Sequence, residues 1–286
     1  MMVKKLPSLL EMAGFSFFVP QFALGVFFEY RDYIHWAEKT AHYKNIPSPV
    51  LPSLRLLLEG LVSMILFLIG DANYPVSYCY TDEFGEWSLA YKLFYAHVAW
   101  QFKRLFYYMA FRFSQGAMVA IGFGYNGEEE DKESKVVKHN WDRIVGVYIF
   151  ECEVASNANS FLKSWNNRVH VWIKHYLSER LTGENGRPST IQYITIYFIS
   201  AFWHGFYPFY YVTFGCIFLS SFAHKDLYQC WFILRSIPLW LRNGVSIIVT
   251  QQHINYIGVL VTALTMSNGM KFLRSTYFCV PIFLVA

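Results

Sequence analysis

"IQYITIYFISAFWHGFYPFYYVTFGCIFLSSF", residues 191–222, is a run of apolar and aromatic residues that carries no formal charge. A helix needs about 20 largely apolar residues to cross the hydrocarbon core of a bilayer, and this run exceeds that length. It therefore predicts a membrane-embedded helix, with one ionisable residue, His204, near its middle.

The rest of the chain has the same character. Four more runs carry at most one charge each: residues 6–28, 56–69, 105–123 and 245–270. Of the 286 residues, 55% are hydrophobic and 15% are charged, whereas about a quarter of the residues in soluble domains are charged. We expect an all-α fold, a polytopic transmembrane helical bundle with at least four spans.

Both ends of the chain are apolar. The run from Leu6 to Phe28 is longer than a signal-peptide core and lacks a small-residue cleavage site, so we expect a retained helix. The final run, residues 277–286, is too short to span a membrane. We expect a fragment, or a short form, of a longer membrane protein, in which residues 1–286 form one transmembrane domain without the preceding N-terminal helices.

The composition does not favour nucleic-acid binding or a structural metal site. A net charge of +4 is small for this length and is not typical of nucleic-acid-binding proteins. The five cysteines are widely spaced and show no CxxC pattern, which predicts buried thiols and neither a disulfide framework nor a zinc site. They are Cys79, Cys152, Cys216, Cys230 and Cys279.

Prolines and charged residues in the first half of the chain predict helix boundaries. Three prolines between residues 47 and 52 mark a boundary, because proline lacks a backbone donor. A helix is expected to follow from Leu54 to Ile69. Residues 88–123 predict one long aromatic-rich helix, or two shorter ones broken near Lys103 and Arg104.

Residues 122–188 form a polar and amphipathic segment. It opens with "GFGYNGEEEDKESK", residues 122–135, which predicts a solvated loop. The stretch 161–181 then predicts one amphipathic, basic helix that lies against a membrane surface or under transmembrane helices. Its apolar face is formed by residues at three- and four-residue steps: Leu162, Trp165, Val169, Trp172 and Tyr176.

His204 is the main candidate for a functional side chain. An ionisable residue inside a membrane segment is costly and tends to face a cavity or a partner. Pro208 cannot donate to the carbonyl of His204, and Gly205 loosens the backbone, so we expect the helix to kink at His204. The alternative is a neutral imidazole whose nitrogens are satisfied by backbone groups or by Ser200.

A neutral histidine can accept a proton from a hydroxyl group and return it to a leaving group. Such a base needs a polar partner, and Asn166 is a candidate because its amide can orient a reactant without adding charge. Asn167, His170 and His175 compete for the same role. The alternative for Asn166 is a helix-surface asparagine.

"SWNNRVHVW", residues 164–172, followed by "AFWHGFYPFYY", residues 201–211, resembles the paired Asn and His signature of the membrane-bound O-acyltransferases. The similarity is greatest to the lysophospholipid acyltransferases, which re-acylate lysophospholipids in phospholipid remodelling. Other stretches resemble this branch: "GFGYNGEEE" (122–130) with Trp141 and Asp142, "FVPQF" (18–22), and "IPSPVLPSLRLLLEGL" (46–61).

The resemblance implies that His204 and Asn166 are the catalytic pair. It implies a horseshoe of helices around a tunnel, of which this chain forms part, in a multi-pass protein of the endoplasmic reticulum membrane. It also implies acyl-CoA as co-substrate, with no further cofactor, and a lysophospholipid acceptor within the membrane lipids. Phe209 stands where the family commonly has glycine, and it is expected to narrow the site near the acyl chain.

We expect a further group of residues to contact the substrates: Trp203, Trp172, Arg168, Lys174 and Asn126. Among them, Arg168 and Lys174, together with Arg180, are candidates for the phosphates of CoA. The alternative for each of these basic side chains is that it lies on a solvated helix face and binds no phosphate.

The expected activity is acyl transfer to a lysophospholipid, and lysophosphatidylcholine is the favoured acceptor. Alternatives are the same fold with another acceptor (another lysophospholipid, a sterol, diacylglycerol or a protein), or an inactive short isoform that acts only by binding. A transporter would predict charges paired between helices or an internal repeat, and the sequence indicates neither. The oligomeric state is left open.

Overall fold

A computed structural model describes residues 6–18, 27–130, 135, 137–182, 186, 188–229 and 238–279, without the side chains of 222–229. Cys230 and most of the C-terminal run lie outside the described residues, as does part of the first apolar run, residues 19–26. The described chain is predominantly helical, which confirms the main expectation about fold class.

In chain order, the first α-helices are α1 (Leu9–Ser16), α2 (Tyr30–Ala37), α3 (Val50–Asn73), α4 (Asp82–Glu86) and α5 (Leu89–Ala120). They are followed by strands β1 (Glu128–Glu130) and β2 (Val137–His139), and then by α6 (Ile149–Glu153), α7 (Ala158–Ser164), α8 (Asn167–Trp172) and α9 (Glu179–Thr182). The last helices are α10 (Thr190–His204), α11 (Pro208–Gln229), α12 (Leu239–Ala263) and α13 (Met266–Ser275). Shorter helical turns are the 3₁₀ helices Ala41–Lys44 and Val76–Tyr80 and the π-helix Ile173–Ser178.

The chain divides into two compact units. The first comprises Met1–Ile65, Phe106–Tyr148 and Asn166–Val169. The second comprises Leu66–Leu105, Ile149–Trp165 and His170–Ala286.

One helix within the described ranges is long and apolar enough by itself to cross a membrane: Val50–Tyr80, which includes the 3₁₀ turn after α3. The expectation of at least four such spans is not met by the other helices. α5 is longer but carries four basic side chains, and the apolar run at 191–222 is divided into two helices. The multi-pass topology therefore stays a prediction.

Of the two alternatives for residues 88–123, one long helix is confirmed, because α5 is continuous from Leu89 to Ala120 with no break at Lys103 and Arg104. β1 pairs antiparallel with β2, with Glu128 opposite His139, where the sequence predicted only a loop. The second helix was expected from Leu54 to Ile69, but α3 is longer at both ends: it begins at Val50 and ends at Asn73. Pro52 lies in its first turn, where no helical donor is lost.

In the first unit, the only acidic residue of one apolar run pairs with the only basic residue of another. Glu59 Oε2 on α3 lies 2.9 Å from Arg112 Nε on α5. Close packing accompanies the pair, because a Cβ added at Gly60 would come within 2.7 Å of the Phe113 ring. Small residues of this kind let membrane helices approach closely, and the ion pair then sets the register of the two helices.

α12 lies at the centre of the second unit. Its residues Asn255, Tyr256, Val259 and Leu260 are fully buried. The Tyr80 hydroxyl donates to the carbonyl of Val259 at 2.6 Å, which ties the 3₁₀ turn after α3 to this helix. α12 therefore presents buried surface on several sides, as expected for a core helix.

A buried polar network also joins α5 and α6 to α12. Arg104 is completely buried, and its guanidinium lies 3.0 Å from Glu153 Oε2 and donates to Gln251 Oε1 at 2.9 Å. Gln251 in turn donates to the carbonyl of Cys152 at 2.7 Å. Charges paired between helices are thus present, contrary to the expectation from sequence, and this feature does not distinguish a transporter from an enzyme.

We predict that Glu59→Leu destabilises the protein by about 1–3 kcal/mol, because it leaves the mostly buried Arg112 without its ion partner. This cost is lower than that of breaking a fully buried ion pair, because Glu59 is partly exposed. The double variant Glu59→Leu/Arg112→Leu should recover most of this loss. Unfolding midpoints in detergent micelles measure the effect. The control is Arg55→Leu, since Arg55 contacts the same carboxylate from an exposed position and should change stability by less than about 1 kcal/mol. Equal losses for Glu59→Leu and Arg55→Leu would contradict the prediction.

Candidate active site

The predicted kink at His204 is a complete helix break. α10 ends at His204, Gly205 follows with a φ of 127°, and Pro208 is the first residue of α11. The positive φ suits glycine, which lacks the Cβ that would clash. Proline suits the first position of α11 because that position needs no backbone donor. The break therefore follows from the local sequence and places His204 at the end of a helix.

The His204 side chain is exposed and is flanked by aromatic rings. Its ring centroid lies 4.8 Å from that of Trp203 and 5.0 Å from that of Phe214. Among the described residues, no hydrogen bond to the imidazole is found. Ser200, which the alternative interpretation required as a partner, donates to the carbonyl of Ile196 instead. The ring nitrogens are thus available to a substrate.

α10 and α11 pack against each other on either side of the break. The Tyr197 hydroxyl and Ser221 Oγ lie 2.7 Å apart, and the rings of Phe198 and Tyr211 lie 5.6 Å apart. Phe209, expected to narrow the site, is wholly buried. Its ring packs on Gly269 of α13, where a Cβ would overlap it.

Asn166 occupies a backbone position that few residues adopt. It joins α7 to α8 with a φ of 45°, a left-handed conformation that asparagine tolerates better than most residues. The next amide, Asn167 N–H, donates to the carbonyl of Gly146 at 2.8 Å and fixes the turn. Asn166 is therefore not the helix-surface asparagine of the alternative interpretation.

The side-chain oxygen of Asn166 is buried and has no hydrogen-bond partner among the described residues. A buried acceptor without a partner costs about 1–3 kcal/mol. Such groups are uncommon in folded proteins, and Asn166 shares this property with Ser114 Oγ and Asn255 Oδ1 among the described residues. An acceptor of this kind is suited to holding a donor group of a reactant or of a histidine.

The predicted continuous amphipathic helix over 161–181 is wrong. Asn166 interrupts it, and the π-helix Ile173–Ser178 widens it further along. Trp172 and Tyr176 nevertheless stack, with ring centroids 5.9 Å apart, and both are partly exposed. π-helical turns occur frequently at functional sites. Lys174 lies within this turn with an exposed side chain.

Asn126 belongs to a polar network in the first unit. Its amide nitrogen donates to Asp142 Oδ1 at 2.9 Å, and its amide oxygen accepts from Arg143 at 3.1 Å. Arg143 also forms a salt bridge with Asp32. Burial opposes the charge on Arg143, but its hydrogen bond and charge interaction with Asp32 outweigh burial and raise its pKa. Asn126 is thus committed to fixing the glycine-rich turn at 122–127.

Arg168 is also held in the first unit, because its Nε donates to the carbonyl of Phe27 at 2.8 Å. Burial lowers the pKa of its guanidinium, and the negative charge of Asp32 partly offsets this effect. Arg168 is therefore not on the solvated face that the alternative interpretation required. Sequence reasoning missed Asp32 and Arg143, which are separated by 111 residues; the only available signal was that both carry charges next to apolar segments.

The predicted site residues fall into two groups. Asn126, Asn166 and Arg168 belong to the first unit. The others belong to the second unit: Trp172, Lys174, Trp203 and His204. The pairing of Asn166 with His204 stays a prediction.

The sequence model of the membrane-bound O-acyltransferase family matches residues 2–231. Several curated proteins are similar over nearly the whole chain. A lysophospholipid acyltransferase of Schizosaccharomyces pombe is 25% identical over 306 aligned residues, which cover 99% of this chain and 58% of that protein.

Lysophospholipid acyltransferase 1 of Arabidopsis thaliana is 27% identical, covering 96% of this chain and 60% of the relative. Membrane-bound glycerophospholipid O-acyltransferase 2 of Homo sapiens is 28% identical, and the alignment covers 98% of this chain and 55% of the relative. The chain thus spans less than two thirds of the length of these relatives.

The left-handed backbone conformation of Asn166 and its unpartnered amide oxygen can be tested separately. We expect Asn166→Gly to fold at least as stably as the original chain, because glycine accepts the positive φ and removes the unpartnered oxygen. Asn166→Ala should be less stable than Asn166→Gly by about 1 kcal/mol, because a Cβ is unfavourable in this backbone region. Thermal unfolding of both variants in the same detergent measures the difference, and a more stable alanine variant would contradict the assigned backbone conformation.

Proposed function

We propose, from the premise that this chain belongs to the membrane-bound O-acyltransferase family, that it transfers a fatty acyl chain from acyl-CoA to a lysophospholipid hydroxyl. Lysophosphatidylcholine is the favoured acceptor. The proposal is made for the whole protein, since the chain spans only part of its relatives' length. The names of those relatives support a lysophospholipid acceptor.

The carrying observation is the helix break at His204. It leaves an imidazole exposed, with no hydrogen-bond partner among the described residues, within an otherwise uncharged apolar segment. An imidazole whose nitrogens are not engaged by the protein is free to take the proton of an alcohol. Asn166 supports the same chemistry through its unpartnered oxygen.

In the proposed reaction, His204 removes the proton of the lysophospholipid hydroxyl as its oxygen attacks the thioester carbonyl of acyl-CoA. The tetrahedral intermediate collapses by breaking the carbon–sulfur bond, and CoA leaves as the thiolate. The imidazolium then returns the proton to the sulfur. Asn166 orients the imidazole or a reactant. No acyl-enzyme is required, because two bound substrates gain the advantage of proximity.

The remaining predicted residues are proposed to bind the substrates. Lys174, with an exposed ammonium group, suits the phosphates of CoA, and Arg168 supplies a second positive charge. Trp203 and Trp172 offer partly exposed rings to the apolar parts of the substrates. Asn126, predicted to contact substrate, is proposed to act by holding the turn at 122–127, because Asp142 and Arg143 engage its amide. We place these residues along a tunnel within a multi-pass protein of the endoplasmic reticulum membrane, with residues 122–188 carrying the asparagine.

The test compares acyl transfer by alanine variants expressed in microsomal membranes. His204→Ala should lower kcat/KM by about 10²–10⁴-fold, the range typical for loss of a general base, and Asn166→Ala should also reduce it strongly. Matched controls are His175→Ala and Asn167→Ala, which remove the neighbouring rival residues and should retain activity. Normal activity in His204→Ala, at equal protein level, would refute the proposed role.

A panel of acceptors tests substrate class. With radiolabelled oleoyl-CoA as donor, we expect lysophosphatidylcholine to be acylated faster than other lysophospholipids, and these faster than a sterol, diacylglycerol or a peptide hydroxyl. Thin-layer chromatography of the products measures the order. A sterol or diacylglycerol product that depends on His204 would retain the mechanism and change the acceptor. Binding without any acyl transfer would favour an inactive form.

A further inference from the structure

We propose that the corner between α12 and α13, residues 263–269, positions His204 by holding the first turn of α11. The inference rests on the proposed function, because it assigns the corner a part in acyl transfer. Three features of the second unit carry it: a backbone hydrogen bond, a strained leucine and a glycine that accommodates a buried ring.

The first feature concerns the start of α11. The first N–H groups of a helix have no partner within the helix and need one elsewhere. Pro208 has no N–H, so the first donor that requires a partner is that of Phe209. This N–H donates to the carbonyl of Leu264 at 3.2 Å. In an apolar surrounding an unpaired donor is costly, so this bond fixes where α11 begins.

The second feature is the conformation of Leu264 itself. Its φ is 59° and its ψ is −55°, a combination that is unfavourable for a residue with a Cβ. The turn is held on its far side by Thr265, whose side chain caps α13 by accepting from the Asn268 N–H at 3.2 Å. The surrounding turn thus maintains a strained leucine whose carbonyl is directed at α11. Such strain is found preferentially at functional sites.

The third feature is the fit between Phe209 and Gly269. Phe209 is completely buried, and any Cβ at residue 269 would overlap its ring. Gly269 lies inside α13, where glycine is otherwise unfavourable, so its absence of a side chain serves the ring of Phe209. The ring and the glycine therefore lock the first turn of α11 onto α13.

The contact between Phe209 and Gly269 affects His204 through residues of α11 that lie next to its ring. The ring of Tyr210, next to Phe209 in the chain, lies 6.0 Å from the His204 ring, and that of Phe214 lies 5.0 Å from it. A shift of the first turn of α11 would move both rings and, through the short link at Gly205, the end of α10. The corner lies beyond the residues that match the family model, 2–231, so the match itself does not assign it a role.

The test is Gly269→Ala in the full chain in microsomal membranes. Its added methyl group should displace Phe209 and lower kcat by about tenfold to a hundredfold, the effect of a misplaced reactive group. KM values for acyl-CoA and lysophosphatidylcholine should change by less than about twofold, because binding residues elsewhere are untouched. The double variant Gly269→Ala/Phe209→Leu, which makes space for the methyl group, should recover most of the lost kcat.

The control is Gly244→Ala on α12, which should leave kcat unchanged because no atom of the described residues lies within 4 Å of its Cβ position. If Gly269→Ala does not accumulate, Phe209→Leu alone serves as the test, since it loosens the lock without overpacking and should lower kcat at constant KM. Provided that His204→Ala is inactive, a normal kcat in Gly269→Ala would overturn the positioning role. Where Phe209→Leu replaces that variant, a normal kcat in Phe209→Leu would do the same. Activity in His204→Ala would instead refute the proposed function on which it rests.

Discussion

Hydrocarbon provides no hydrogen bonds, so a helix that breaks inside an apolar segment must have its freed backbone groups satisfied by the protein. The break between α10 and α11 is such a place. Gly205 permits the turn, Pro208 removes one donor, and Leu264 accepts from the N–H of Phe209. The position of His204 depends on this arrangement, because the imidazole stands at the last residue before the break.

The polar side chains of the described residues follow a related logic. Charges in low-dielectric surroundings are tolerated when they are paired and hydrogen-bonded. Glu59 pairs with Arg112, and the buried Arg104 is surrounded by Glu153 and Gln251. Such pairs contribute register and specificity between helices more than net stability. The satisfaction is not complete, because buried side-chain oxygens of Asn166, Ser114 and Asn255 have no hydrogen-bond partner among the described residues. A role in chemistry for the Asn166 oxygen is therefore part of the proposed function.

Some features were predictable because their cause is local. The boundary near the prolines before α3 and the break beside Gly205 and Pro208 follow from residues a few positions apart. The apolar runs also predicted the burial of Cys79, Cys152 and Cys216, whereas Cys279 is only half-buried. The helix over 161–181 was mispredicted for the opposite reason. Its apolar periodicity is real, but the turn at Asn166 is fixed by the distant carbonyl of Gly146, which periodicity does not report.

A helical membrane protein, the break at His204 and the choice of His204 and Asn166 as candidates could be predicted from the amino-acid sequence, because apolar runs, glycine, proline and motif spacing act over short distances. The packed helices were needed to reveal that Asp32 pairs with Arg143, that Asn166 adopts a left-handed backbone, and that Leu264 and Gly269 contact the start of α11. These features depend on residues far apart in the chain that meet only when the helices pack, and contacts of that kind leave no local pattern in a single sequence.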